Sequence, residues 1–214
     1  MLSGADYPIR SAEAIERELS DSQYDVFLDW REINYNLYRT ARPDGNKAHG
    51  SSEWLRVAYD RYIAVRIPYP ALSHPFTKPA GGDIRIRHPF LLKPWQFFSD
   101  EFRCYGGEAW FTGNARAAEW LLAKNPRHDA LKDFFQRRRC PEESYFQCIF
   151  CNAPHLAICN DDKRYIDWSE GGLHPRTLGL QDITKLSESS AHFARKFDQN
   201  WAVLDRIDAM IGPG

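Results

Sequence analysis

Apolar side chains first recur at helical spacing after Ser11, where Ala12, Ile15 and Leu19 stand at i, i+3 and i+7. A short amphipathic helix is expected there, with Ser11 able to cap it and Glu13 in its first turn. The run Tyr62–Ile67 is instead rich in β-branched and aromatic residues, which suits a strand stopping at Pro68. Residues 68–99 read as loop, because Pro68, Pro70, Pro75, Pro79, Gly81, Gly82, Pro89 and Pro94 punctuate them. Tyr105–Phe111 suits a strand with a glycine approach point. Asn114 can cap the next helix, whose inner face would be Ala117, Ala118, Leu121 and Leu122. Pro141 fits the first turn of a further helix, with Glu142 and Glu143 beside it. Arg164–Trp168 reads as a short strand, and Asp182 as the cap of a helix reaching about Phe197. Trp201, Leu204, Ile207 and Ile211 mark a closing amphipathic helix. Strands alternating with helices argue an α/β class. No flexible linker divides the 214 residues, so a single domain over 1–214 is expected.

Composition narrows the functional classes. Hydrophobic residues are 43% and charged residues 27%, a globular balance rather than a disordered one. The 28 basic and 29 acidic residues leave a formal net charge of −1, so no strong field would gather nucleic acid. Arg137-Arg138-Arg139 is the one dense basic run. It follows Leu131, Phe134 and Phe135, so it is expected in the last turn of a helix, where cations suit the dipole. No apolar run approaches the ~18 residues that span a bilayer, and the first residues lack a signal peptide's charged and apolar regions. Five cysteines follow no small-domain disulfide spacing and are expected to be reduced. The seven Trp suit core positions first and sugar-binding faces second.

Three constellations carry possible chemistry. Cys148-x-x-Cys151 with His155 and Cys159 could be written as a zinc site. The two close cysteines continue a helical pattern, however, and on one helix face free thiols behave as small apolar residues. Glu142 and Glu143 place carboxylates at a helix start, where the dipole alone would favour them by roughly 0.3–1 kcal/mol; that location is compatible with a general base. Arg176 lies in a loop and Lys196 near an expected helix end. Two fixed cations could neutralise a diphosphate as a metal would, and the sequence contains no Asp-x-Asp.

Taken in order, the segments resemble one family. Ser3-Gly-Ala-Asp6-Tyr-Pro-Ile-Arg10, Gly106-Gly-Glu108-Ala-Trp110-Phe111, Pro141-Glu-Glu143, Arg164-Tyr-Ile-Asp-Trp168, His174-Pro-Arg176-Thr177 and Phe193-Ala-Arg-Lys196-Phe-Asp198 look like motifs of the core-2/I-branching β-1,6-N-acetylglucosaminyltransferases. The match runs from residue 2 to about 198. The resemblance implies a GT-A-like mixed sheet flanked by helices, and inverting transfer from a UDP-sugar to a glycan hydroxyl without a divalent metal or other cofactor. The donated sugar would be N-acetylglucosamine, xylose or glucuronic acid. Glu143 matches the base that deprotonates the acceptor hydroxyl, Arg176 and Lys196 the cations on the leaving diphosphate, and Trp168 an acceptor-site aromatic. Trp110 and Glu108 are further sugar-binding candidates, and Ser3 and Asp6 are expected near the active site.

Departures from the family pattern set further expectations. Glu108 stands where the family usually has Ser, and the compact 174–182 stretch looks more like the plant and bacterial branch. Arg56 and Arg61 are the candidates for acceptor-binding basic residues in 31–66. Met1 falls inside a family strand, so the domain is expected to lack its first βα units and to be weak or inactive alone. Two readings compete with the transferase: a non-catalytic carbohydrate-binding or scaffold remnant of the fold, and a zinc-binding interaction module. The partners implied are a UDP-sugar and a glycan, with no nucleic acid and no membrane segment in this chain. A cytoplasmic location is expected if the source is bacterial, and a Golgi membrane if a eukaryotic parent carries an upstream anchor.

Overall fold

The computed structural model describes residues 3–42, 51–74, 77–93, 96–170, 174–199 and 201–212, with backbone alone for 68–74 and 77–82. In chain order the elements are β1 (Tyr7–Pro8), α1 (Ala12–Ser20), β2 (Val26–Leu28), β3 (Arg31–Glu32), α2 (Tyr35–Thr40), α3 (Ser52–Tyr62), β4 (Val65–His74) and β5 (Thr77–Ile86). There follow α4 (Pro89–Leu92), β6 (Tyr105–Gly106), β7 (Phe111–Gly113), α5 (Ala115–Leu122), α6 (Pro126–Phe135) and α7 (Tyr145–Cys151). The chain closes with β8 (Ile158–Cys159), β9 (Arg164–Ile166), α8 (Ile183–Glu188), β10 (Phe193–Arg195) and α9 (Trp201–Ile211). The class is α/β, as expected, with small mixed sheets among the helices. The chain divides into two compact units, each made of separated segments. Met1–Trp30, Glu108–Ala123 and Ala153–Gly214 form the first, and Arg31–Gly107 and Lys124–Asn152 the second.

The first unit holds two three-stranded sheets. In one, β10 lies between antiparallel β1 and parallel β9, with Tyr7 opposite Ala194 and Ala194 opposite Tyr165. In the other, β2 lies between antiparallel β7 and parallel β8. Ile9, Leu178, Leu186, Ala194, Val203 and Ile207 bury together, so β10, α8, α9 and the 174–178 loop share one apolar core. The Ser11 hydroxyl caps α1 by accepting from Ala14 N at 3.3 Å, and Asn114 caps α5 by accepting from Ala117 N at 3.1 Å. Both caps fall where the sequence places them. The inner face of α5 differs: Ala117 is buried and Trp120 and Leu121 half-buried, while Ala118 and Leu122 face solvent. Trp120 takes the inward place because its indole packs edge-on against His155, 4.8 Å between centroids. In α9, Val203 and Ile207 turn inward, whereas Trp201 is 72% exposed.

The expected helix from Asp182 to about Phe197 breaks in two. A 3-10 turn at Leu180–Asp182 leads into α8, which ends at Glu188, and Phe193–Arg195 is a strand. Pairing with two neighbouring strands satisfies the backbone of 193–195 more fully than a helix end would.

The second unit contains the β4–β5 hairpin, pairing Val65 with Ile86 and running through Pro68, opposite Asp83. This corrects the loop expectation for 68–86. A two-stranded ribbon leaves each strand one unpaired edge, where a proline's missing N–H is tolerated. Tyr62 ends α3 rather than opening a strand. Pro75 and Pro94 lie outside the described residues. Gly106 does mark a close approach: a Cβ there would come within 2.7 Å of Ile33 Cδ1 and 3.2 Å of the Glu143 carbonyl oxygen. The expected strand 105–111 is two short strands, β6 pairing with β3 and β7 with β2. Among the described residues no helix is long and apolar enough to cross a membrane.

Candidate functional site

In the first unit, two backbone hydrogen bonds string the 174–178 loop between neighbouring strands. Arg176 N donates to Asp167 O at 2.8 Å, just past β9, and Leu178 N donates to Lys196 O at 2.9 Å, just past β10. Arg176 and Lys196, distant in sequence, are thereby brought into one neighbourhood. Lys196 sits at a strand end, so a helix dipole does not account for its charge. The Arg176 guanidinium is held by two carboxylates, with Nη2 donating to Asp167 Oδ2 and to Asp182 Oδ1, each at 2.6 Å. Ser169 and then Arg176 hold the Asp167 carboxyl well below the usual carboxylate range, and Arg176 lowers that of Asp182. Arg176 is thus rigidly oriented, with its charge shared. Among the described residues Lys196 forms no ion pair. Trp168, next to Asp167, is 36% exposed.

Arg195, next to Lys196 in the chain, pairs with Asp6 and stacks on Trp110. Arg195 Nε lies 3.1 Å from Asp6 Oδ1, and its guanidinium sits 4.0 Å from the centre of the Trp110 ring. The other Asp6 oxygen accepts from Ser3 N at 2.6 Å. The structure therefore brings Ser3, Asp6 and Trp110 together. Because Arg195 covers one indole face, a sugar ring has only the opposite face of Trp110 to stack on. Glu108 N donates to Asp29 Oδ2 at 3.2 Å.

Asp29 and Glu108 act on a third acid. Asp162 is 8% exposed, and its carboxyl is pushed up to about 7, by burial first and by those two carboxylates in addition. A raised carboxyl means that the folded protein binds the extra proton between the ordinary value of 3.8 and about 7. This contribution to stability therefore falls as pH rises across that window and is flat above it. Asp162→Asn should raise Tm at pH 8 and flatten the melting profile between pH 5 and 8. An unchanged profile in thermal melts would show that Asp162 titrates normally.

Glu143 belongs to the second unit. It ends a 3-10 turn, Pro141–Glu143, directly ahead of α7, rather than lying in that helix's first turn. The turn is fastened by Gly107 N donating to Glu143 O at 2.8 Å. Glu143 Oε2 accepts from Arg61 Nη1 at 2.5 Å and stands 3.4 Å from the Tyr62 hydroxyl, whose shorter bond, 2.9 Å, goes to Cys140 O. Arg61 is therefore the base candidate's own partner, while Arg56 donates to Ala41 O at 3.3 Å and lies over Tyr38. The sequence carries no local sign of the Arg61 contact. Tyr62 also lines a cavity of about 300 Å³ walled by Tyr35, Tyr59, Phe97 and Phe98.

Of the zinc candidates, Cys148 is fully buried, its thiol accepting from Tyr105 N at 3.3 Å and donating to Tyr105 O at 3.4 Å. Cys148 and Cys151 lie in the second unit, His155 and Cys159 in the first. Burial raises the Cys151 thiol far above its ordinary value, which disfavours the thiolate that zinc requires.

Comparison with known proteins places these residues in a wider pattern. Residues 77–189, more than half of the chain, match the model of the family described as Core-2/I-Branching enzyme. That stretch includes Glu108, Trp110, Glu143, Trp168 and Arg176. The chain is 32% identical over 122 residues to beta-glucuronosyltransferase GlcAT14A of Arabidopsis thaliana, covering 53% of this chain and 27% of that protein. It is 39% identical over 72 residues to beta-glucuronosyltransferase GlcAT14B of the same plant, covering 32% of this chain and 17% of that one. The matched stretches thus span about a quarter or less of these relatives' lengths.

Proposed function

The chain belongs to the Core-2/I-Branching enzyme family, and from that premise we propose that it is an inverting glycosyltransferase passing a sugar from a UDP-sugar to a glycan hydroxyl. Glu143 accepts the acceptor's proton as the hydroxyl attacks the anomeric carbon, and the carbon–oxygen bond to UDP breaks on the opposite face. Arg176 and Lys196 neutralise the departing diphosphate, a task for fixed cations where no metal is used. Trp168, Trp110 and Glu108 contact sugar, and Ser3 and Asp6 support Trp110 through Arg195. Among the candidate donors, UDP-glucuronic acid comes first, because both curated relatives are named as glucuronosyltransferases.

The observation that supports this reading is the backbone stitch that sets Lys196 beside the Arg176 loop. The test is acceptor-dependent release of UDP from UDP-glucuronic acid, UDP-N-acetylglucosamine and UDP-xylose, with and without EDTA. Release should be insensitive to EDTA and fall by about 10²–10³-fold in Lys196→Ala. Glycan binding with no UDP release from any donor would favour the non-catalytic remnant instead.

A further inference from the structure

The end of α3, the start of β4 and the segment after α6 enclose a groove of about 740 Å³ in the second unit. Arg61, Arg66, Arg137, Arg138 and Arg139 line it, with Asp133 as the carboxylate of the lining, while Glu143 and Asp83 pair with Arg61 and Arg66 from outside it. A chain with a net charge of −1 thus gathers positive charge in one place. α6 stops at Phe135 and Gln136 caps it, so 137–139 lie just past the helix end rather than in its last turn. Arg138 shows the imbalance most clearly. Its guanidinium lies 4.6 Å from the centre of the Phe134 ring, and Nη1 donates to the Ala64 carbonyl at 2.8 Å. No carboxylate among the described residues pairs with it, and burial, with Arg66 adding to it, pushes its pKa down. A charge drawn out of water is ordinarily compensated by a counter-charge. Arg61 joins this groove to Glu143.

We infer that the groove is an oxyanion subsite that takes a carboxylate or sulfate carried on the sugar acceptor. Guanidinium forks match the paired oxygens of such groups. The inference rests on the transferase reading of Glu143, since it is Arg61 that links groove and base.

Calorimetric titration of the purified chain with tetragalacturonic acid, its methyl ester and inorganic sulfate separates glycan-borne charge, neutral glycan and free anion. The acid should bind about tenfold or more tightly than the ester, with a preference that fades as salt rises. The double variant R137E/R139E alters two exposed side chains, and it should lose the preference with an unchanged thermal melt. Equal binding of acid and ester overturns the inference, as does a preference that survives in the double variant. Sulfate binding as tightly as the acid also overturns it, making the groove a free-anion site. The titration needs no turnover, so absent transfer would sink the transferase reading without altering this result. Acceptor-dependent UDP release without an acid preference would remove the groove alone.

Discussion

Replacing Glu143 with glutamine should lower acceptor-dependent transfer by about 10²–10⁴-fold, the usual contribution of a positioned general base. Stability and acceptor binding should hardly change. The amide has nearly the carboxylate's shape and can still accept from Arg61 Nη1, now 2.5 Å from Oε2, so the turn fastened by Gly107 has no reason to move. What disappears is the capacity to take a proton. If Glu143 were only the counter-ion of Arg61, the effect would be small in both assays. That pair is about a quarter to a third exposed, 25% and 34%, and such pairs contribute about 1 kcal/mol or less. The variant therefore splits the two roles: kcat for UDP release should collapse while Tm shifts by a few degrees at most. Transfer within a few-fold of wild type would end the base assignment.

Asp25→Ala should cost about 3–5 kcal/mol, because hydrogen bonds from Asn114 and Ala157 to a charged carboxylate are lost at about 1.5–3 kcal/mol each, and lower Tm by roughly 6–20 °C for a chain of this size. Asp25 is 5% exposed and ties three distant segments of the first unit. Its Oδ1 accepts from Asn114 Nδ2 at 2.9 Å, Oδ2 accepts from Ala157 N at 2.9 Å, and Arg116 Nη1 reaches both oxygens at 3.1 and 3.2 Å. Its own carbonyl accepts from Asn114 N at 3.0 Å. The substitution removes both carboxylate oxygens, leaving the half-buried Ala157 N–H without its partner while the exposed Asn114 and Arg116 side chains return to water; the backbone bond to Asn114 N remains. The Ala157 amide first, and then Asn114 and Arg116, hold the Asp25 carboxyl below its ordinary value. This stabilisation is full above the ordinary pKa and is lost as pH falls through the lowered folded value. The wild type should therefore lose its advantage over Asp25→Ala as acid is added. A Tm within about 2 °C of wild type at pH 7 would show that the segments are held by something else.

Local chemistry made much of the fold legible. Ser11 and Asn114 cap helices because a hydroxyl or amide placed before an apolar stripe needs no distant partner. Gly106 could be read as an approach point from the glycine itself, although what approaches it, Ile33 and Glu143, is distant in sequence. Phe193–Arg195 could not be read as a strand, because its pairing depends on β1 and β9, far away in sequence. The β4–β5 hairpin was hidden by its own prolines and glycines, which signal a loop unless the free edges of the ribbon are known. At the candidate site, the motifs carried more than was drawn from them. Asp167 and Arg195 lie inside the segments that flagged Trp168 and Lys196, yet their roles as anchors of Arg176 and Trp110 appear only in three dimensions. Arg61 meets Glu143 across 82 residues, a separation that no periodicity reveals.

The interleaving of the two units has a practical outcome for anyone dissecting the protein. The backbone changes allegiance after Trp30, Gly107, Ala123 and Asn152. No single cut releases either half whole, and a contiguous piece ending before residue 153 lacks β8, β9 and β10 of the first. Fragments for crystallisation or interaction screens would have to be rejoined by linkers that bypass the segments of the other unit, or expressed as complementing pieces.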